Sequence, residues 1–241
     1  MTHYKTDRLD LRLMDCMELM RGYPDKHFEL AITDPPYFAG VAESNFYGSK
    51  VSSTGIARLC SSSKHWNENI PEQAYFDELK RVSKNQIVWG INYYEYSGCT
   101  GRIVWDKVND DSTFSNCEIA SCTLISHVKI FRHMWNGMLQ GDMKNKEQRI
   151  HPTQKPVALY RWLLSNYAKV GDKILDTHLG SMSHAIAAHY AGLHLTGCEL
   201  DPDYFAAGIE RVKRETAQMD MFADAKKIAL PEQLSLDTPS A

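Results

Sequence analysis

The interpretation of this chain begins with Leu30-Ala31-Ile32-Thr33-Asp34-Pro35-Pro36-Tyr37, an apolar run that ends abruptly at an acid, two prolines and an aromatic ring. Phe28 and the apolar residues 30–32 predict a buried strand of the parallel-sheet kind. The prolines prevent its continuation as either strand or helix. We therefore expect the Asp34 carboxylate, two proline carbonyls and the Tyr37 ring at the carboxyl end of a strand, where open α/β sheets bind their ligands.

An Asp-Pro-Pro sequence alone has a plainer interpretation, which is a proline-containing turn without chemistry. A second feature makes the functional interpretation stronger. Residues 151–201 carry the pattern of a nucleotide-binding half, far along the chain from the first motif.

The composition is that of an ordinary globular protein, with 43% apolar and 24% charged residues in a chain of 241. We expect one catalytic domain over residues 1–225 and a weakly ordered tail over 226–241. No run of eighteen apolar residues and no signal-peptide core are present, so a cytoplasmic protein without membrane contact is expected. The formal net charge of −3 excludes a globally basic surface, so a nucleic-acid partner would meet a local patch.

The six cysteines contain no CxxC pair, which favours reduced structural thiols over disulfides or a zinc site. Histidines are frequent, but none lies in an HExxH motif or beside similarly spaced acids. No metal is therefore expected.

The apolar pattern predicts an α/β fold with a mostly parallel twisted sheet, an antiparallel edge strand and helices on both faces. Residues 119–125 and 127–131 are interpreted as a pair of antiparallel strands at the sheet edge. The other expected strands and helices follow in chain order. They are strands at 8–13, 28–33, 87–89, 102–105, 173–175 and 195–198, and helices after Asp15, Pro71, Pro156, Ser181 and Asp201.

Two segments lack sustained periodicity and are candidates for contact with a partner. Residues 38–70 are interpreted as a mobile insert loop, because long loops in compact domains usually act as lids or binding loops. Residues 131–150 form a short segment in the most basic part of the chain. Lys144, Lys146 and Arg149 are the expected phosphate contacts there, although a solvated loop would have the same composition.

A strand, a small-residue turn, a helix and a second strand ending in an acid form a βαβ unit late in the chain. Glu199 follows Gly180 by 19 residues, close to the spacing at which a dinucleotide fold places its ribose-binding acid. Neither GxGxxG nor GxxxxGK[ST] is present, which disfavours a pyrophosphate or triphosphate ligand. The pattern fits a nucleoside-like cofactor without phosphates.

The chain resembles the amino-group DNA methyltransferases that use S-adenosyl-L-methionine. The resemblance rests on four segments, which are residues 34–37, His151-Pro152-Thr153-Gln154-Lys155-Pro156, residues 176–183 and Gly197-Cys198-Glu199-Leu200-Asp201. Because the catalytic motif precedes the cofactor motifs, the order is similar to the beta arrangement of that family. The resemblance covers residues 9–214 and implies a Rossmann-like methyltransferase fold.

The resemblance also implies roles for individual residues. The catalytic motif is Asp34, Pro35, Pro36 and Tyr37. The implied cofactor contacts are Asp34, Asp15 near the adenine, His151, Thr153, Gln154 and Lys155 near the methionine part, Asp176, His178, Gly180 and Ser181 in the turn, and Glu199 with Leu200 at the ribose. The implied partner is double-stranded DNA, and a homodimer and a place in restriction-modification are further expectations.

One segment departs from the family pattern. Where the family turn usually reads DPFxGSGT, this chain has Thr177, His178, Met182 and Ser183 at the Pro, Phe, second Gly and Thr positions. A long side chain at Met182 is expected to weaken cofactor binding. A catalytically impaired nucleic-acid-binding protein of the same fold therefore stays an alternative. A plain nucleotide-binding α/β enzyme is another, although it leaves DPPY unexplained.

The implied reaction is methyl transfer to the N6 amine of adenine, which an acid in DPPY favours over the N4 amine of cytosine. The base must leave the duplex, at a cost of a few kcal/mol. Stacking on Tyr37 would recover about 1 to 3 kcal/mol of that cost. Cytosine-N4 transfer stays open as the alternative.

Overall fold

The computed structural model describes residues 1–36, 71–95, 98–110, 115–136 and 139–220. Tyr37, the expected insert loop at 38–70 and the expected tail at 226–241 lie outside the described residues. Among the described residues, no helix is both long and apolar enough to cross a membrane.

Strands and helices alternate in residues 9–36, 71–89 and 157–220, whereas the described residues between Trp89 and Val157 form strands and turns without an α-helix. The strands are β1 (His3–Lys5), β2 (Leu9–Leu13), β3 (Phe28–Thr33), β4 (Ser83–Trp89), β5 (Arg102–Asp106), β6 (Cys117–Cys122), β7 (Val128–Arg132), β8 (Trp135–Asn136), β9 (Leu139–Gln140), β10 (Lys173–Asp176) and β11 (His194–Glu199). The helices are α1 (Cys16–Arg21), α2 (Gln73–Val82), α3 (Val157–Tyr167), α4 (Ser183–Ala191) and α5 (Pro202–Asp220).

The described strands form a nine-stranded sheet in the order β1-β2-β11-β10-β3-β4-β6-β5-β7, with β8 and β9 in a separate hairpin. Strands β2, β11, β10, β3 and β4 are mutually parallel. Strand β1 is the antiparallel edge strand, and β6 lies antiparallel between β4 and β5. The predicted fold class is confirmed.

The predicted pairing of residues 119–125 with residues 127–131 is wrong. Strand β6 pairs with β4 and β5, whereas β7 pairs in parallel with the far side of β5. The chain leaving β6 crosses closely over Gly101 at the start of β5, where a Cβ atom would collide with the carbonyl oxygens of Cys122 and Ile125. This crossing carries β7 past β5 instead of back along β6.

Helices cover both faces of the sheet. Leu30 and Ile32 of β3 pack in the cluster formed with α3, α4 and α5, whereas Ala31 packs with α1 and α2. This alternation is the pattern of a strand that is buried on both sides. The continuous apolar run that preceded DPPY in the sequence therefore has its structural explanation.

The parallel strands bring four acids to one edge of the sheet. Asp34, Asp176, Glu199 and Asp15 each lie at or just after the carboxyl end of a strand, in β3, β10, β11 and β2 respectively. Strands β3 and β10 are hydrogen-bonded neighbours, so the DPP segment and the expected cofactor turn are adjacent. This edge is where ligands bind in open α/β sheets.

Met182 adopts a left-handed backbone conformation, with φ at 62°, in the position immediately before α4. Its side chain is fully buried in the apolar cluster and lies against Gly208 of α5. The absence of a side chain at Gly208 leaves room for Met182 inside the core. The expectation that Met182 weakens cofactor binding stays a prediction.

We predict that Gly208→Ala destabilises the protein by about 1 to 3 kcal/mol, because the new Cβ would overlap Met182 Cγ. In an open helix position the same exchange would stabilise by up to about 1 kcal/mol, so the sign is diagnostic. Urea unfolding of Gly208→Ala, Met182→Ala and the double variant provides the measurement. The prediction fails if Gly208→Ala is stabilising, or if shortening Met182 relieves none of its cost.

Candidate active site

Asp34 lies directly after β3, and only 14% of its side chain is exposed. Its Oδ2 atom accepts a hydrogen bond from Lys155 Nζ at 2.5 Å. Its Oδ1 atom is buried and has no hydrogen-bond partner among the described residues. Because a buried unpaired acceptor is costly, this oxygen is suited to receive a donor from a ligand.

A chain of alternating charges continues from Asp34 into the protein. Lys155 Nζ lies 2.8 Å from Glu118 Oε2, and Lys107 Nζ lies 2.7 Å from Glu118 Oε1. Lys155 is the most buried member, with 2% of its side chain exposed, and its ammonium lies over the ring of Trp89. The four charged groups balance to zero, which makes the burial of each one tolerable.

The two carboxylates of this chain have opposite pKa shifts. Burial raises the pKa of Asp34 to about 6, against the opposing effect of Lys155. Lys155 and Lys107 together overcome the burial of Glu118 and hold its pKa at about 2. The two carboxylates beside Lys155 raise the pKa of its ammonium, which stays charged. Asp34 is therefore the weaker acid of the two.

Tyr94 fixes the turn that follows Asp34. Its hydroxyl lies 2.8 Å from the carbonyl oxygen of Pro35 and 3.2 Å from that of Pro36. The sequence analysis did not identify Tyr94, and its position after the short 3-10 turn Ile91–Tyr93 gave no signal of this contact. The two proline carbonyls therefore share one hydroxyl donor next to Asp34.

The turn after β10 is organised by two acids. Asp176 accepts from the backbone N–H of His178 and lies 2.9 Å from His184 Nδ1. Glu199 accepts from the backbone N–H of Gly180 at 2.8 Å and from that of Asp201 at 2.9 Å. The second acid thus connects the end of β11 to the turn, and burial raises its pKa.

His178 stands at the Phe position of the turn in the family that the sequence resembles, and one hydroxyl group lies within hydrogen-bond distance of its ring. Thr177 Oγ1 lies 2.9 Å from His178 Nδ1 and 2.7 Å from the Tyr75 hydroxyl of α2. Burial lowers the pKa of His178 to about 4. The imidazole is therefore neutral at physiological pH and can serve as a flat wall of the site.

Residues 151–156 lie between the turn and Asp34. The buried ring of His151 packs against Tyr204 and faces Gly180, and Thr153 Oγ1 lies 3.2 Å from its Nδ1. The backbone carbonyl of Gln154 accepts a hydrogen bond from the indole N–H of Trp135 at 2.9 Å. The Lys155 side chain binds the carboxylates of Asp34 and Glu118. The sequence resemblance implied a contact with the cofactor for this residue.

Arg211 of α5 connects the turn to the segment before α3. Its guanidinium donates to the Ser181 carbonyl at 2.7 Å, to Ser183 Oγ at 2.9 Å and to Glu147 Oε2 at 2.6 Å. Glu147 in turn accepts from the first backbone N–H of α3 at Val157. The sequence analysis did not identify Arg211, because an arginine in an amphipathic helix is normally expected on the exposed face.

The expected phosphate contacts differ in their surroundings. Lys144 and Lys146 are exposed, and the backbone N–H of Lys144 is held by Asp142. Arg149 is half-buried, donates to the Pro152 carbonyl and lies against the Trp135 ring. Lys144 and Lys146 are therefore available at the surface, whereas Arg149 supports residues 151–156.

Two expected cofactor contacts lie at the margin of the site. Asp15 caps α1 by accepting from the backbone N–H groups of Met17 and Glu18. The side chain of Leu200 is exposed. The structure thus brings Asp34, Lys155, His151, residues 176–181 and Glu199 together at the edge of the sheet.

Comparison with known proteins identifies the family. A family model described as DNA methylase matches residues 88–210, about half of the chain. The chain belongs to the DNA methylase family. The matched residues include β10 and β11, whereas β3 and Asp34 precede them in the chain.

Two relatives agree with this membership. The type II methyltransferase M2.DpnII of Streptococcus pneumoniae is 26% identical over 140 residues, which span 54% of this chain and 51% of the relative. The match thus spans about half the length of the pneumococcal enzyme. YubD of Escherichia coli strain K12 is 22% identical over 244 residues, covering 90% of this chain and 96% of that protein.

Solved structures share the fold. The M1.HpyAVI–SAM complex superposes with a TM-score of 0.51 at 16% identity. The superposition covers 84% of this chain and 99% of the M1.HpyAVI chain. PvuII DNA methyltransferase, which is cytosine-N4-specific, superposes with a TM-score of 0.55 at 12% identity, over 92% of this chain and 95% of that one. At these identities the likeness concerns the fold alone.

We predict that Arg211→Met destabilises the protein by about 3 to 5 kcal/mol, because it leaves the Glu147 carboxylate without its buried partner. Arg214→Met is the matched control, since Arg214 pairs with Glu215 at the surface and should cost under about 1 kcal/mol. Urea unfolding at neutral pH measures both. Adding Glu147→Gln should recover part of the Arg211→Met loss; equal costs for the two arginines would contradict the assignment.

Proposed function

We propose that this methylase transfers a methyl group from S-adenosyl-L-methionine to the N6 amine of an adenine in double-stranded DNA. The observation that carries the proposal is the unpartnered Oδ1 of Asp34, buried beside the turn after β10. Family membership supplies the reaction class. The order of the motifs, with β3 before β10 in the chain, supports the beta arrangement.

The residues at the strand ends suit this cofactor. The Glu199 carboxylate at the end of β11 would accept from the ribose hydroxyls, and Asp15 lies beside β11 at the expected adenine end. The turn 176–181 with Leu200 would contact the nucleoside, and His151, Thr153 and Gln154 would contact the methionine part. When bound, the cofactor supplies an electrophilic methyl group on a positively charged sulfur.

Asp34 and the proline carbonyls would prepare the amine. The lone pair of an exocyclic amine is delocalised into the base, so the nitrogen must be held in line with the methyl group. Asp34 Oδ1 would accept one N–H of the amine and the Pro35 carbonyl the other. Each hydrogen bond to a charged acceptor contributes roughly 1.5 to 3 kcal/mol.

The reaction balances at Asp34. The nitrogen lone pair forms the new N–C bond while the C–S bond breaks and its electrons remain on sulfur, which becomes neutral. The nitrogen is then positively charged and loses one proton to Asp34 Oδ1, from which water removes it. A pKa of about 6 allows Asp34 to take this proton and release it near neutral pH.

Adenine is favoured because the motif begins with Asp34, and cytosine N4 is the second candidate because the matching family includes both kinds of amine. We propose that the base is flipped out of the duplex and stacks on Tyr37. Incubating duplex DNA with isotope-labelled cofactor and analysing the nucleosides decides between the two bases. Labelled N4-methylcytosine would refute the adenine assignment.

We predict that Asp34→Ala lowers the transfer rate by at least about 100-fold, because the acceptor of the amine is lost. Cofactor binding should stay within a few-fold, since Glu118 still pairs with the Lys155 ammonium that Asp34 leaves. Single-turnover assays measure transfer, and calorimetric titration with S-adenosyl-L-methionine measures binding. Asp203→Ala, at the exposed start of α5, is the control. Surviving turnover would remove Asp34 from the mechanism; no detectable cofactor binding by the unmodified protein would favour a nucleic-acid-binding protein without catalysis.

A separate prediction concerns the two exposed lysines. Changing Lys144 and Lys146 together to Ala should weaken DNA binding and lower the slope of log K against log salt by about 1 to 2, because each phosphate contact releases about one counterion. Fluorescence anisotropy over a salt series gives the slope. The pair Lys213 and Arg214 on the exposed face of α5 is the matched control, and an unchanged slope for Lys144 and Lys146 would place the DNA elsewhere.

A further inference from the structure

We propose that Lys155 and Glu118 are positioning residues for Asp34, in which Lys155 fixes one carboxylate oxygen and Glu118 shares the ammonium so that the other oxygen stays available to the substrate amine. This inference rests on the proposed methyl transfer. It gives Lys155 a place different from the cofactor contact implied by the sequence.

The contacts of Lys155 carry the argument. Its ammonium binds Asp34 Oδ2 and Glu118 Oε2, at 2.5 and 2.8 Å, and therefore cannot form a pair with Asp34 alone. Glu118 comes from β6, whose antiparallel insertion between β4 and β5 places it behind the site. Lys107 holds the remaining Glu118 oxygen.

A purely stabilising ion pair would explain these contacts less well. Burying charges costs several kcal/mol per ion, so a buried pair adds little net stability compared with apolar side chains of the same volume. The arrangement also leaves Asp34 Oδ1 unpartnered within the described part of the chain, which a stabilising network would be expected to avoid. An unpartnered Asp34 Oδ1 is useful if a ligand, here the substrate amine, donates a hydrogen bond to it.

The sharing of Lys155 sets the strength of Asp34 as a base. A full ion pair would lower the Asp34 pKa and make the carboxylate a poor acceptor for the proton that leaves the methylated nitrogen. Without Lys155, burial would keep Asp34 protonated at neutral pH, and the amine would lose its acceptor. The groups that act on Asp34 are Lys155, which lowers its pKa, and Glu118 and Asp176, which raise it.

The test compares three variants by the pH dependence of kcat/KM, which reports the free enzyme's ionisations. In the unmodified protein the acidic limb of the pH profile should have its midpoint at the Asp34 pKa of about 6. Glu118→Gln should move this midpoint to lower pH, because the variant lacks a carboxylate that raises the Asp34 pKa. Lys155→Met should move it to higher pH, with activity recovered in alkaline buffer. Shifts of about one pH unit or more are expected, and Lys155→Arg should stay near the original limb.

Two further measurements make the outcomes distinct. Carboxyl carbon-13 NMR of the cofactor-free protein follows the Asp34 titration directly, with Asp34→Asn assigning its resonance, and should show the same opposite shifts. Lys213→Met and Glu210→Gln, which remove an exposed pair with a 2.8 Å contact in α5, should leave every profile unchanged.

The outcomes separate this inference from the proposed function. An unmodified protein that methylates no DNA overturns the proposed function, and the inference falls with it even where the NMR shifts appear. Methylation by the unmodified protein with unshifted or equally shifted variants overturns the positioning role alone. If Lys155→Met fails to fold, Glu118→Gln decides the matter by itself, since Asp34 remains as the carboxylate partner of Lys155 in that variant.

Discussion

The ion pair between Lys155 and Asp34 joins two segments that lie 121 residues apart in the chain. The pair is buried, so it requires compensation, and Glu118 and Lys107 provide it from the antiparallel part of the sheet. The parallel strands place the acids at the carboxyl ends of the strands, and Lys155 occupies one oxygen of Asp34 while the other is buried without a partner among the described residues. The Lys155 ammonium therefore connects the catalytic candidate Asp34 to the antiparallel part of the sheet through Glu118.

Much of the scaffold could be predicted because its signals are local. The apolar run before Asp34, the alternation in β2, and Asp15 at the start of α1 each follow from neighbouring residues, and the structure confirms the strands and the helix start that they predicted. The pairing of β7 could not be predicted, because it depends on a crossing over Gly101 that no short-range pattern encodes.

The candidate site was predictable in its acids and only partly in their partners. Asp34, Asp176 and Glu199 stand at strand ends, a position that periodicity reveals. Glu118 occupies a strand position where a half-exposed acid would look the same, and its burial depends on two lysines from other segments. Met182 shows a related limit, since the space it fills is created by a glycine 26 residues further along the chain.

The bridge made by Arg211 restricts how this protein could be re-engineered. Residues 139–150 are an obvious place to graft a segment from a relative, yet Glu147 within them neutralises a guanidinium beneath the Ser181 carbonyl and holds the first amide of α3. A transplanted segment without an acid at that position would remove the contacting carboxylate of a buried cation and leave it the Ser181 carbonyl and the Ser183 hydroxyl as acceptors. Chimeras at this surface must therefore retain Glu147 or replace Arg211 at the same time.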